Sequence, residues 1–404
     1  MKYIGFKCLV LALTVAIVSA CGNQSRKSAI PDAQLQAATI SGMDDIRYVP
    51  STKAGVKSYL QEIKAAVPKR PQDPGRQTNL LALSGGGDNG AFGAGLLVGW
   101  SKRGDRPSFD QVTGISTGAL IAPFAFLGTD YDQTLQMLFT QVSPDDIYRE
   151  RGKLGVIFND ALADATPLKN LIDKTVDTVM LQRIAAEYQQ HGRLLMIGTT
   201  NIDSGSLVLW NMGRIAAIGT PESAALFRNV MLASAAVPGA FPPVLFDAEV
   251  SGHEYHELHV DGGLAAQVYL YPAAVSKVAI ESGIIKSRKR EAYIIRNARL
   301  SIGWEETERN GLGVLNRSYK KIVQSQGLGN LYQIYEIARR DKVGFNLAYI
   351  GNDFDAAHPA EFDRTYMNAL FQYGFEKSLK GYPWQHMPPG LENSSEEDLK
   401  LQSK

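Results

Sequence analysis

The stretch from Asn79 to Leu120 constrains the fold of this chain more than any other. An apolar run of Leu80, Leu81, Ala82 and Leu83 stops at Ser84, and Gly85, Gly86 and Gly87 follow. Ala91, Phe92, Gly93, Ala94, Leu96 and Leu97 then rise at helical spacing. That pattern reads as strand, tight turn and helix. The second half repeats it: Val112 to Ile115 reads as a short strand ending at Ser116, with Gly114 and Gly118 flanking the serine as G-x-S-x-G before another apolar helix. Two such units in succession, with further strands alternating with helices downstream, predict an α/β fold with a mostly parallel or mixed sheet.

A serine at such a turn is exposed by the bend, and the flanking glycines remove side chains that would crowd it. The helix after Ser116 points its partial positive end at the same place, favouring developing negative charge. A tight turn with an ordinary helix-capping serine has the same five-residue pattern. The glycine loop adds chemistry, because Gly85, Gly86 and Gly87 can aim successive N–H groups at one point and stabilise an oxyanion. Gly85-x-Gly87-x-x-Gly90 also satisfies a dinucleotide fingerprint, which needs an acidic residue at the end of the second strand, about 20 residues on. Asp105 and Asp110 precede that strand and it ends in Ser116 instead. A phosphate-binding loop of the Lys-Ser or Lys-Thr type has no match here.

Downstream, Ser51 is expected to cap a short amphipathic helix ending before Pro68, and Thr166-Pro167 to open another. Arg193 to Thr199 reads as a buried strand, turning at Asp203-Ser204-Gly205 into Leu207 to Trp210. Residues 119–142 are strongly apolar and read as core helix in preference to a lipid-facing lid. A helix from Pro221 ends in ASAAVPGAFPPV, residues 233–244, where Pro238, Pro242 and Pro243 force extended backbone. A strand centred on Leu258 to Val260 ends at Asp261-Gly262-Gly263. A carboxylate there could take a proton directly from a serine, although a plain β-turn explains the triplet too. Ala292 to Ile295 and Gly344 to Ile350 are the last strands, with helices over much of 312–340 and from Glu361 to Leu379.

The N-terminus has the layout of a secretory signal over residues 1–20: Lys2 and Lys7, an apolar run from Leu9 to Val18, then small residues before Cys21. The mature chain would hold Cys21 alone, since Cys8 lies inside the signal, so no internal disulfide can form. V-S-A-C resembles a bacterial lipobox, which implies acylation of Cys21 and attachment to a membrane. Gly22 after it, by resemblance to lipoproteins of Gram-negative bacteria, implies the outer membrane. The formal net charge of +1 among 404 residues argues against bulk capture of nucleic acid.

Taken together, SGGGDNGAFGAG, GISTG, ASAAVPGAFPPV and VDGG stand in the order and spacing of the patatin-like phospholipases, and the chain resembles that family from about residue 78 to 385. The resemblance implies a three-layer α/β/α fold, a Ser116–Asp261 dyad without histidine, an oxyanion hole at Gly85, Gly86 and Gly87, lipid acyl-ester substrates and no cofactor or metal. Asn89 departs from the pattern, which has Arg or Lys at that loop position. The expected organisation is a signal over 1–20, a lipidated tether with a short helix over 21–75, a catalytic domain over 76–385 and a polar tail over 386–404. Three other readings stay open at this point: a Ser-Asp-His hydrolase using His358 or His386, a non-catalytic lipid- or envelope-binding lipoprotein, and a metal site at His253, His256 and His259.

Overall fold

The computed structural model describes residues 26–391 apart from 72, 74, 152–160, 276–288, 302, 304, 305 and 308. The signal, Cys21 and residues 392–404 of the tail lie outside the described residues.

One ten-stranded mixed sheet organises the chain. In chain order its strands are β1 (Thr39–Ile40), β2 (Arg47–Tyr48), β3 (Thr78–Leu83), β4 (Gln111–Ile115), β5 (Leu194–Asn201), β6 (Ser206–Asn211), β7 (Val244–Val250), β8 (His253–Asp261), β9 (Arg290–Arg296) and β10 (Gly344–Tyr349). The centre is parallel, in the order β5-β4-β3-β9-β10, with Leu81 opposite both Val112 and Tyr293. The antiparallel strands β6, β7, β8, β1 and β2 gather beyond β5.

Strand periodicity sorts side chains onto two faces. Leu81 and Leu83 of β3 and Leu195 and Ile197 of β5 enter one core layer. That layer holds α2 (Gly90–Arg103), α3 (Thr117–Leu127), α4 (Asp132–Thr140), α5 (Thr166–Thr175), α6 (Thr178–His191), α7 (Met212–Ile218), α8 (Pro221–Ser234) and α10 (Arg364–Leu379). Leu80, Ala82, Leu194 and Met196 enter the opposite layer with α1 (Lys53–Ala66) and α9 (Gly311–Arg340). This is the three-layer α/β/α arrangement expected. Residues 119–142 form α3 and α4, with Ile121, Phe126 and Leu135 buried in the core. The cap of α1 is Thr52 rather than Ser51, its hydroxyl accepting from the Gly55 N–H.

The sequence predicts a polar tether up to about Arg47, and here the structure differs. Ile30, Leu35, Ile40, Met43, Ile46 and Val49 are buried, β1 pairs with β7, and β2 pairs with β6. Their apolar side chains occur singly among polar ones without a helical or strand period, so only the sheet edge that receives them reveals their role. Arg47 is buried with them, donating to Glu257 Oε1 at 2.9 Å and to the Leu35 carbonyl at 2.7 Å.

Candidate active site

The register of β5 places the site. Along one edge, β5 pairs with β4 as far as Ile115 opposite Gly198, and then with β8 from Asp261 opposite Thr199. Strands β4 and β8 therefore run toward each other and end head to head on the same edge. The residues that follow or close those ends are Ser116 and Asp261, and the Ser116 side chain lies near enough to the Asp261 carboxyl to favour its ionised form.

Ser116 takes φ 54° and ψ −126°, a conformation that costs a non-glycine residue energy and that the surroundings must hold. Gly114 and Gly118 make the bend feasible. A Cβ on Gly118 would lie 2.4 Å from the Leu83 carbonyl oxygen, and one on Gly114 would lie 2.4 Å from that of Gly118. The Ser116 N–H donates to Ser234 Oγ at 3.0 Å, and the Ser234 hydroxyl donates in turn to the Gly198 carbonyl at 2.7 Å. The same ASAAVPGAFPPV block secures the acid, since the Asp261 N–H donates to the Ala236 carbonyl at 2.8 Å. Ser234 was not singled out from sequence. The small residues around it along 233–236 are its local signal, within a block whose prolines dictate extended backbone.

Asp261 is buried and accepts from the Gly263 N–H at 2.6 Å. Burial raises its carboxyl to about 6, against the opposing influence of the nearby Ser116 hydroxyl and the Gly263 N–H. A carboxylate poised there is charged near neutrality yet basic enough to accept a hydroxyl proton as it leaves.

The glycine loop packs on the serine turn. A Cβ on Gly85 would stand 3.1 Å from Ser116 Cβ, and one on Gly86, at φ 157°, would stand 2.1 Å from the Asn297 carbonyl oxygen. One expectation needs correction: Gly85 does not offer a free N–H, because that group donates to the Gln267 carbonyl at 3.0 Å. Among the described residues, the N–H groups of Gly86, Gly87 and Thr117 meet no acceptor, that of Thr117 being an orphan of the first turn of α3.

Two side chains of the loop are held by the segment leading into α10. Asp88 Oδ2 accepts from His358 Nε2 at 2.7 Å and from the Phe362 N–H at 2.9 Å. Asn89 Oδ1 accepts from the Tyr366 hydroxyl at 2.6 Å, and His358 stacks on Tyr366. Asn89, the departure noted in the sequence, is thus a tie between loop and helix. Asp88, His358 and Glu361 bring one potential metal-ligating atom each to within 4.8 Å of one another, the one such group among the described residues. The His358–Asp88 ion pair accounts for two of the three without a metal. Beside the loop lies an apolar pocket lined by Gly87, Thr117, Leu120, Phe124, Phe139, Leu168, Met231 and Phe362.

The other histidines stand elsewhere. His253, His256 and His259 lie on β8 at intervals of three, so His256 faces opposite to the other two and the three cannot share an ion. His259 is fully buried. The Glu257 carboxylate only accepts, so His259 Nε2 donates to it, and Nδ1 of the neutral ring accepts from Thr199 Oγ1, whose oxygen in turn accepts from Trp210 Nε1. His386 Nδ1 meets the Phe345 carbonyl at 3.2 Å. Asp110 bonds the Asn79 N–H and Arg76 at the start of β3, the opposite end from the glycine loop, where it cannot serve a dinucleotide.

Residues 81–274, which include Ser116 and Asp261, match the family model of the patatin-like phospholipases. The chain carries a patatin-like phospholipase domain. A similar solved structure is that of VipD from Legionella pneumophila, at 11% identity and a TM-score of 0.31, with 88% of this chain and 71% of that chain covered. Comparison with curated proteins gives no significant match. The patatin-like domain spans the strand ends, the serine turn and the carboxylate described above. It stops short of α9 and α10, so the contacts that His358 and Tyr366 make with the glycine loop come from outside the matched residues.

Proposed function

We propose that this protein is a serine lipid acyl hydrolase, tethered to the bacterial cell envelope through an acylated Cys21 and cleaving carboxylic esters with a Ser116–Asp261 dyad. The observation that carries the reading is the strand register that sets Ser116 next to a buried carboxyl raised to about 6, inside a patatin-like domain and beside an apolar pocket. In the first half-reaction Ser116 Oγ attacks the ester carbonyl carbon and Asp261 takes the hydroxyl proton. The carbonyl oxygen becomes an oxyanion that the N–H groups of Gly86, Gly87 and Thr117 receive; one such donor is worth about 3 kcal/mol of barrier. The tetrahedral species collapses to an acyl-serine as Asp261 returns its proton to the departing alcohol. Water, deprotonated by Asp261, then attacks the acyl-serine, and the proton goes back to Ser116 Oγ as the fatty acid leaves.

The lining of the pocket is apolar, as an acyl chain would require, and a tether would concentrate the enzyme at a lipid surface. Fluorophosphonate labelling of the intact protein tests the dyad: labelling lost in Ser116→Ala supports it, and an unreactive parent chain leaves a lipid-binding, non-catalytic lipoprotein. Incubation of both proteins with mixed-lipid vesicles, followed by lipid analysis, identifies the ester cleaved. Incorporation of labelled palmitate, abolished by Cys21→Ala, tests the anchor and its envelope location.

A further inference from the structure

Strand β7 is covered along one edge only in part. Its inner edge pairs with β8 over its whole length, from Val244 opposite His259 to Val250 opposite His253. Its outer edge meets the two residues of β1, Thr39 opposite Glu249 and Ile40 opposite Ala248, and then the Ser41 N–H, which donates to the Asp247 carbonyl at 2.8 Å. At Ser41 and Gly42, with φ 49° and 75°, the chain leaves the sheet. Backbone groups alternate in direction along an antiparallel strand, so Leu245 points its N–H and carbonyl the way Asp247 does, outward. Among the described residues nothing meets either group of Leu245 or the N–H of Asp247. Pro242 and Pro243, which have no N–H to offer, close the open run on its other side.

An unpaired edge is a template for another strand unless something blunts it. This one opens onto a groove of about 610 Å³, walled on the far side by Glu222, Ala225, Leu226 and Asn229 of α8 and closed at one end by the Ser41–Gly42 turn. A groove between a sheet edge and a neighbouring element is a form in which extended peptides are taken up as an added strand. Its charge selects the occupant. Glu222, Asp247, Glu249 and Glu254 line it against one cation, Lys27. Lys27 is paired with Glu254 at 2.6 Å and His256 lies 3.2 Å from Asp247, whereas Glu222 and Glu249 have no ion pair among the described residues. Leu245, Asp247 and Glu249 alternate as the exposed residues of β7, with Phe246 and Ala248 buried between them. An added strand therefore turns every second side chain toward Asp247 and Glu249 and the others toward α8. A second copy of this chain is a poorer fit, because it brings the same carboxylates to the groove.

We propose that the β7 edge and α8 form a docking groove for an extended segment of a partner protein, one with cationic side chains at alternate positions, which adds as a strand beside Leu245–Asp247. The groove is built from residues that take no part in the proposed hydrolysis, and the two readings stand or fall separately.

The test is fluorescence anisotropy with the full chain carrying Cys21→Ala and a labelled hexapeptide that alternates lysine and valine. The peptide should bind saturably at low salt, and its glutamate–valine counterpart should not. Only one alternate set of its amides can face β7, so N-methylating the lysine amides or the valine amides should give peptides that differ about tenfold in affinity. That comparison needs no protein variant. Leu245→Pro removes an edge donor that serves no ladder bond and should weaken binding about tenfold with Tm little changed. Glu222→Lys and Glu249→Lys should each weaken it about fivefold, and less at high salt. Glu336→Lys, exposed on α9, should change nothing. Failure of the lysine–valine peptide to bind overturns the proposal, as does equal binding of the two methylated peptides or unaltered binding in the two groove variants. A parent dimer that Leu245→Pro dissociates gives the edge to a second copy, and binding that appears only after deletion of residues 22–25 gives the groove to the chain's own N-terminal stretch; either result overturns it too.

Discussion

Ser234 holds Ser116 by its main chain: its hydroxyl accepts the Ser116 N–H at 3.0 Å while donating to the Gly198 carbonyl on β5 at 2.7 Å. One hydroxyl therefore ties the serine turn to the strand whose edge aligns Ser116 with Asp261. Ser234→Ala leaves two buried polar groups without partners, at a cost of about 1–3 kcal/mol. In the proposed mechanism Ser234 positions the nucleophile and touches no substrate, so the change should lower kcat about tenfold with KM little changed. Steady-state kinetics on a short-chain ester together with a thermal melt check both; a lowered Tm with unaltered kcat would show a merely structural role.

The raised Asp261 carboxyl makes opposite predictions for activity and stability. In the proposed mechanism it is the base and must be ionised, so kcat/KM should climb with pH through about 6 and then level. Because its folded value lies above the ordinary 3.8, the native state binds the extra proton between these limits, and stability falls as pH rises from about 4 to about 6. Asp261→Asn should abolish turnover and raise stability at pH 8 by an amount on the order of 2–3 kcal/mol. At a pH below 4 the gain should vanish. Chemical denaturation at both pH values decides; the same gain at each contradicts the assignment.

His358 is bonded to Asp88 rather than to Ser116. His358→Ala should therefore keep turnover within about fivefold, far from the 10³-fold or greater loss expected of a triad histidine. The hydrogen bond to Asp88, opposed by burial, raises the imidazole above its usual value. What the pair contributes is present in full below that usual value and is lost as pH rises through the raised one. Turnover by wild type and His358→Ala should accordingly converge in alkaline buffer.

Arg47 and Glu257 form a buried ion pair that locks the N-terminal segment onto β8. Burial alone would raise Glu257, but the Arg47 guanidinium and the bond from His259 hold it down to about 2. Arg47→Met strands that carboxylate and should cost about 3–5 kcal/mol. Adding Glu257→Met should restore part of the loss. Urea titration of the two variants, with limited proteolysis ahead of Lys53, tests whether the segment is docked as described.

Much of the fold is legible in the chain because its signals are local. The turn after Leu83, the bend at Ser116, the hairpin at Ser204 and the opening of α5 at Thr166-Pro167 each need only neighbouring residues and the period of the elements they join. The N-terminal segment was not legible, because Ile30, Leu35 and Ile40 gain burial only from a sheet edge made by β7 and β6, some two hundred residues later.

At the site, sequence alone supplied the two side chains, Ser116 and Asp261, and a glycine loop able to bend around them. Tertiary structure decided how they are used. It spent the Gly85 N–H on Gln267 and left those of Gly86, Gly87 and Thr117 open. It drew in Ser234 from 118 residues away and set His358 on Asp88 across 270. It also left part of the β7 edge open beyond β1. Hydrogen-bond partners and exposure are properties of surfaces brought together by the sheet register, and no local period encodes them.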